Sequence, residues 1–121
     1  NETEAELLTG ISINNESDMK ETATYFLDLG ISAVLITLGE QGTYCAYQEQ
    51  YKMIPACNVK AIDTTAAGDT FIGAFLSELN KDLSNLESAI RLANQASSLT
   101  VQRKGAQASI PTRKEVEAEY N

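Results

Sequence analysis

The sequence predicts an α/β fold, and three observations carry that expectation. Ala33-Val34-Leu35-Ile36-Thr37-Leu38 is a nearly continuous apolar run, which suits a parallel strand covered on both faces better than a half-exposed one. Segments of helical periodicity surround it in the chain. Beyond Gly39 and Gly42, Thr43 to Tyr47 and Tyr51 to Ile54 read as two strands joined at Gln48-Glu49-Gln50, a hairpin. A strand as apolar as 33–38 needs parallel neighbours and cover on both sides. The chain supplies many helices but one such strand of convincing length. The 121 residues are therefore expected to be the C-terminal part of a larger α/β domain, with its other parallel strands on the N-terminal side of Asn1.

Each element has a local reason. Thr3 and Glu6 have capping-box spacing for a first helix, and Gly10 suits its stop. Asn14 to Ser17 offer N-cap residues for a second helix reaching Leu29, with Met19, Ala23, Phe26 and Leu27 as its apolar stripe and Gly30 as its end. After the hairpin, a short strand is expected around Val59 to Ile62. A helix from about Gly68 to Asn80 is expected to bury Phe71, Ile72, Phe75, Leu76 and Leu79. Ser84 and Glu87 form another capping box, opening a helix to about Arg103 whose inner stripe is Leu86, Ala89, Ile90, Ala93 and Ala96. Those residues are mostly small, so a neighbour must pack close. Lys104-Gly105 breaks that helix, Pro111 follows, and Thr112 caps a last one through Glu119.

Composition narrows the function. At 43% apolar and 21% charged residues the chain is globular rather than disordered. A formal net charge of -8 argues against a general nucleic-acid or anionic-membrane surface, and no apolar run approaches the length of a membrane span. There is no histidine, so a Ser-His-Asp or Cys-His nucleophile system cannot be assembled from these residues. Two widely spaced cysteines, Cys45 and Cys57, suit reduced thiols in a cytoplasmic protein better than a disulfide framework or a zinc site. No Gly-rich run ends in Lys-Ser or Lys-Thr, and Gly39-Glu40-Gln41-Gly42 lacks the dinucleotide-binding glycine spacing.

What remains is Asp63-Thr64-Thr65-Ala66-Ala67-Gly68-Asp69-Thr70-Phe71, a strand end running through small residues into a helix opened on a carboxylate. Ala66, Ala67 and Gly68 carry no bulk, so their N–H groups can approach a bound group closely. A helix starting near Asp69 aims unpaired N–H groups and its positive dipole end at the same place. That combination attracts phosphate, and Asp69 beside it can accept a proton from an attacking hydroxyl. The alternative is an N-capped helix after a tight turn with no chemistry at all. Three other segments are expected to join it at the carboxyl end of the parallel strands: Asn1 to Glu4, Thr37 to Gly42, and Asn94 with the loop after Arg103. Each has a structural alternative, respectively a helix start, a strand end, and a buried polar residue with a helix C-terminus.

As a set, these segments resemble the ribokinase family of sugar kinases. DTTAAGDTF is similar to its C-terminal signature, NETEAE to its Asn-x-x-Glu motif, and VLITLGEQG and VQRKGAQASIPTR match in the family's order. The resemblance implies the C-terminal part of a three-layer α/β/α fold, with a mainly parallel sheet plus a β-hairpin, in which residues 1–121 are the nucleotide-binding portion. It implies ATP-dependent phosphorylation of the 5-hydroxyl of D-ribose, with Asp69 as general base against the substrate and the amides of Ala66, Ala67, Gly68 and Asp69 as anion hole. Asn1, the loop Thr37, Leu38, Gly39, Glu40, Gln41 and Gly42, and Asn94 would line the ATP site, together with Gly68 and Asp69. Glu4 would hold Mg2+ through water. A monovalent cation, K+, would take side-chain oxygens of Asp63 and Ser109 and carbonyls of Thr65, Thr100, Arg103 and Gly105. The full-length protein is expected to be a homodimer through a lid that, like the sugar-contacting half, is missing from this sequence. Within the class the alternatives are kinases of fructose, a deoxy sugar or a nucleoside; outside it, a non-catalytic nucleotide-binding module or an inactive fragment.

Overall fold

The computed structural model describes residues 1–59, 62, 67–102 and 113–120. They fall into two compact units, Asn1–Pro55 and Ala56–Asn121.

The first unit runs α1 (Glu2–Thr9), α2 (Glu16–Asp28), β1 (Ala33–Thr37), a 3-10 turn (Gly39–Gln41), β2 (Thr43–Tyr47) and β3 (Gln50–Ile54). Asn1, rather than Thr3, caps α1, its side chain accepting from the Glu4 amide, and left-handed Gly10 closes it. Asn15 caps α2 in the same way through the Asp18 amide. Both helices thus begin on an Asn whose side chain stands in for a missing turn of helix. Met19 and Ala23 of α2 pack on Val34 and Ile36 of β1 and on Tyr44 and Ala46 of β2, with Phe26 and Leu27 at the margin.

The described sheet holds the expected hairpin but not the parallel neighbours expected for 33–38. Among the described residues it is antiparallel throughout, in the order β1-β2-β3. Five residues, 38–42, separate β1 from β2, too few for the dozen or more that a parallel crossover needs. β1 alternates between buried Val34 and Ile36 and half-buried Ala33, Leu35 and Thr37, while the central β2 is the strand buried on both faces. The hairpin turn is also tighter than expected. Only Gln48 and Glu49 lie between the strands, both with positive φ (49° and 64°).

The second unit contains α3 (Ala67–Glu78), α4 (Leu86–Val101) and α5 (Arg113–Tyr120). Ala89, Ile90, Ala93 and Ala96 of α4 are at most 2% exposed, so the small-residue stripe is the buried one and it lets α3 lie close. Val116 of α5 completes a cluster with Ala96 and Leu99. The α3–α4 turn is held by Asn85, whose Oδ1 accepts from the Asn80 amide (2.7 Å) and whose Nδ2 donates to the Glu78 carbonyl (2.7 Å). Asn85, rather than Ser84, therefore occupies the N-cap position of α4, and its side chain serves the end of α3 instead.

Two further expectations change. Phe71 is buried and stacks on Phe75 with ring centroids 6.1 Å apart, but Ile72 and Leu76 are 57% and 64% exposed. α3 is apolar around much of its circumference, and among the described residues it packs along α4; Ile72 and Leu76 stay exposed. Val59 is not in a strand and Ile62 sits at a bend, its amide donating to the Val101 carbonyl. Lys60 and Ala61, the break at Lys104-Gly105, Pro111 and the Thr112 cap lie outside the described residues.

Candidate active site

The first turn of α3 carries Ala67, Gly68 and Asp69. An α-helix leaves its first four N–H groups without partners inside it, so this end presents donors and a partial positive charge. Gly68 and Asp69 are exposed, and a methyl group built on Gly68 would meet nothing within 4 Å. The turn is open among the described residues, not sealed under other side chains. Its φ is not left-handed either, so the fold itself asks for no glycine there.

The rest of this turn is fixed by α4. Ser97 Oγ donates to the Ala67 carbonyl (3.0 Å), and Thr100 Oγ1 donates to Thr70 Oγ1 (2.9 Å) in a buried pair. Sequence reasoning missed Ser97, Thr70 and the hydroxyl of Thr100. The signal was present, since Ser97 and Thr100 are three apart and so share one face of an alanine-rich helix. Asn94, one turn earlier, is buried at 6% exposure, and its carbonyl accepts from Ser98 Oγ (2.8 Å).

In the first unit, Asn1 and Glu4 are brought together. Asn1 Oδ1 accepts from the Glu4 amide (2.9 Å) and Asn1 Nδ2 donates to Glu4 Oε1 (3.1 Å), both at exposed positions. Thr37 ends β1, and Leu38 to Gly42 form a closed turn in which the Leu38 amide donates to the Gly42 carbonyl (2.8 Å). Gly39 (φ 58°) and Gly42 (φ 111°) hold backbone conformations that side chains resist, which is why glycines bracket Glu40 and Gln41. Gly39, Glu40 and Gln41 are exposed, so their backbone is available to a ligand.

Ala66, Asp63, Thr65, Arg103, Gly105 and Ser109 lie outside the described residues; of the expected cation ligands only Thr100 is described. Among the described residues no three His, Cys, Asp or Glu side chains cluster as a metal site. Glu4, exposed and bonded to Asn1, is a single carboxylate, which fits an outer contact to a hydrated Mg2+ better than a protein-held ion. Cys45 and Cys57 are thiols, not a disulfide. No described helix is long and apolar enough to cross a membrane.

Comparison with known proteins gives the family of the chain. Residues 1–113 match the model of the pfkB family carbohydrate kinases. Over 116 residues, 96% of this chain, it is 65% identical to a ribokinase of Staphylococcus aureus, of which it covers 38%. The structure of Arabidopsis thaliana ribokinase complexed with ribose and ATP superposes with a TM-score of 0.88 at 35% identity, over 97% of this chain and 38% of that one. Vibrio cholerae fructokinase, in its fructose, ADP and calcium ion bound form, gives 0.81 at 30% identity, over 97% and 38%. The chain thus spans under two-fifths of the length of these relatives. With the family's pattern running from its first residue through α4, the chain belongs to the pfkB carbohydrate kinases.

Proposed function

We propose that this chain is the nucleotide-binding portion of an ATP-dependent sugar kinase whose substrate is D-ribose, phosphorylated at its 5-hydroxyl. The observation that carries the reading is the open, glycine-bearing start of α3, with Asp69 in its first turn. The ribose oxygen attacks the γ-phosphorus, its proton passes to the Asp69 carboxylate, the new O–P bond forms, and the bond to the β-phosphate oxygen breaks to release ADP. Charge on the transferring group gathers on its outer oxygens, where the amides of residues 66–69 can donate to it. Mg2+ bound with ATP would neutralise phosphate charge, and Glu4 is the residue that would reach its water shell. The turn 39–42, exposed at Gly39, Glu40 and Gln41, and Asn94 would contact the nucleotide, as would Asn1. The carbonyl of Thr100, with Asp63, Thr65, Arg103, Gly105 and Ser109, would hold K+.

The same reading accounts for surfaces the fold leaves open. β1 is an edge strand among the described residues, and Ile72 and Leu76 form a bare apolar strip on α3. Exposed edges and strips of this kind normally acquire cover. We place parallel neighbours for β1, and the cover for α3, in the remaining length that the relatives have. Both units then belong to one three-layer domain in a cytoplasmic protein, with dimerisation through a lid outside this sequence.

The test is a chimaera in which this chain replaces the matching segment of the Staphylococcus aureus ribokinase. It should convert ATP and D-ribose to ADP and ribose 5-phosphate, faster in potassium than in sodium. A purified, folded chimaera that binds ATP but turns over no sugar would refute the kinase reading, and equal rates in the two salts would remove the cation site. The likeness to the Vibrio fructokinase favours one alternative, another sugar. A panel of ribose, fructose and deoxyribose given to the natural full-length protein decides it.

A further inference from the structure

Small residues let a phosphoryl group approach the start of α3, but they also deprive that turn of packing of its own. Ala66, Ala67 and Gly68 have little or no side chain with which to hold their backbone. An anion hole works only if its donors are already in place when charge develops, and a displacement of about 1 Å is enough to lose about a hundredfold in rate. Something outside the turn must fix it.

The last two turns of α4 make the attachments. Ser97 Oγ donates to the Ala67 carbonyl (3.0 Å), and Thr100 Oγ1 donates to Thr70 Oγ1 (2.9 Å). The Val101 carbonyl accepts from the Ile62 amide, on the other side of the 63–66 stretch. Both ends of that stretch are therefore tied to one short piece of α4. The piece is itself firmly seated: Thr100 is fully buried, and Ala96 and Leu99 lie in the cluster with Val116. Hydrogen bonds of this kind suit the purpose better than apolar contact, because they have a fixed length and direction and leave the donor side of the turn open.

We propose that Ser97 and Thr100 are positioning residues for phosphoryl transfer, holding the first turn of α3 where its amides and Asp69 meet the transferring group. Neither touches substrate; each acts through Ala67 or Thr70. The proposal rests on the kinase reading above, so its test carries a control for that reading. Four variants are made in the full-length chimaera: Thr100→Val, Thr100→Ser, Ser97→Ala and Asp69→Asn. The first three leave every main-chain carbonyl in place, so a carbonyl-held cation keeps its ligands.

Thr100→Val should lower kcat about ten- to a hundredfold with KM for ATP within about twofold, because ground-state nucleotide binding does not depend on the exact position of the turn. Thr100→Ser keeps the hydroxyl and should restore most of kcat. Ser97→Ala, at a half-buried site that tolerates the change, should lower kcat by a smaller factor, again at constant KM. A purely structural role would instead reduce melting temperature and folded yield while kcat per folded site stayed at the parent value. If Asp69→Asn is inactive while Thr100→Val and Ser97→Ala keep the parent kcat, the positioning role is overturned. If Asp69→Asn is as active as the parent, the kinase reading itself has failed, whatever the other variants do. Should Thr100→Val not fold, Ser97→Ala decides the matter by itself, a parent kcat overturning the positioning role and a lowered kcat at constant KM supporting it.

Discussion

Gly68 is the residue at which fold and function separate. In the described surroundings a side chain there would strike nothing, and the backbone is not left-handed. Glycine in a helix costs about 0.5–1 kcal/mol relative to alanine, so its presence is unexplained by stability. In the proposed function, close approach of a phosphoryl group accounts for it. Gly68→Ala should therefore raise the melting temperature of the full-length enzyme, by an amount corresponding to about 0.5 kcal/mol, while cutting turnover by a hundredfold or more. A loss of stability with turnover intact would mean that the glycine serves the fold. This residue stands out in the sequence because small side chains before a helix-opening carboxylate suit a phosphate-binding turn. The sequence hides Ser97 and Thr100, because a hydroxyl on an alanine-rich helix looks the same whether it bonds to its own helix, as Ser98 does to Asn94, or to the neighbour.

Helix positions and those of β1 to β3 were legible from periodicity and stop glycines, whereas the strand expected around Val59 to Ile62 is not formed at its two described ends. The run 33–38 is apolar enough for a strand buried on both faces, but the five residues that follow return it as an antiparallel neighbour of β2. Apolar content reports cover, and connection length reports direction. Caps were misplaced by one or two residues for a similar reason. Asn1, Thr3, Asn85 and Ser84 are all capable caps, and the choice depends on which backbone amides the turn exposes. The β2–β3 turn carries a strain that spacing alone does not show. Gln48 and Glu49 both sit at positive φ, a region that costs non-glycine residues roughly 1–2 kcal/mol each and that Asn-Gly fills easily. Replacing Gln48-Glu49 by Asn-Gly should stabilise the chain by about 1 kcal/mol, read as a shift in the urea midpoint with unchanged slope. No change in midpoint would show that the turn is not strained.

For the whole molecule, the sequence raises the expectation of further parallel strands beside 33–38, and the chain covers 38% of the Staphylococcus aureus ribokinase. Among the described residues β1 lies at the sheet edge and Ile72 and Leu76 are exposed on α3, and the proposed function assigns their cover to the remaining length of the relatives. The burial expected for Ile72 and Leu76 follows from reading α3 as a helix covered on every side, which requires more chain than these 121 residues supply. Phosphoryl transfer, in this account, belongs to the full-length protein, and this segment contributes the helix start and its base. The decisive measurement is turnover and ATP affinity of the full-length enzyme bearing Asp69→Asn. With Asp69 as the base, kcat is expected to drop by roughly 100- to 10,000-fold while the dissociation constant for ATP changes little. Turnover at the parent rate, with ribose 5-phosphate still formed, would contradict it.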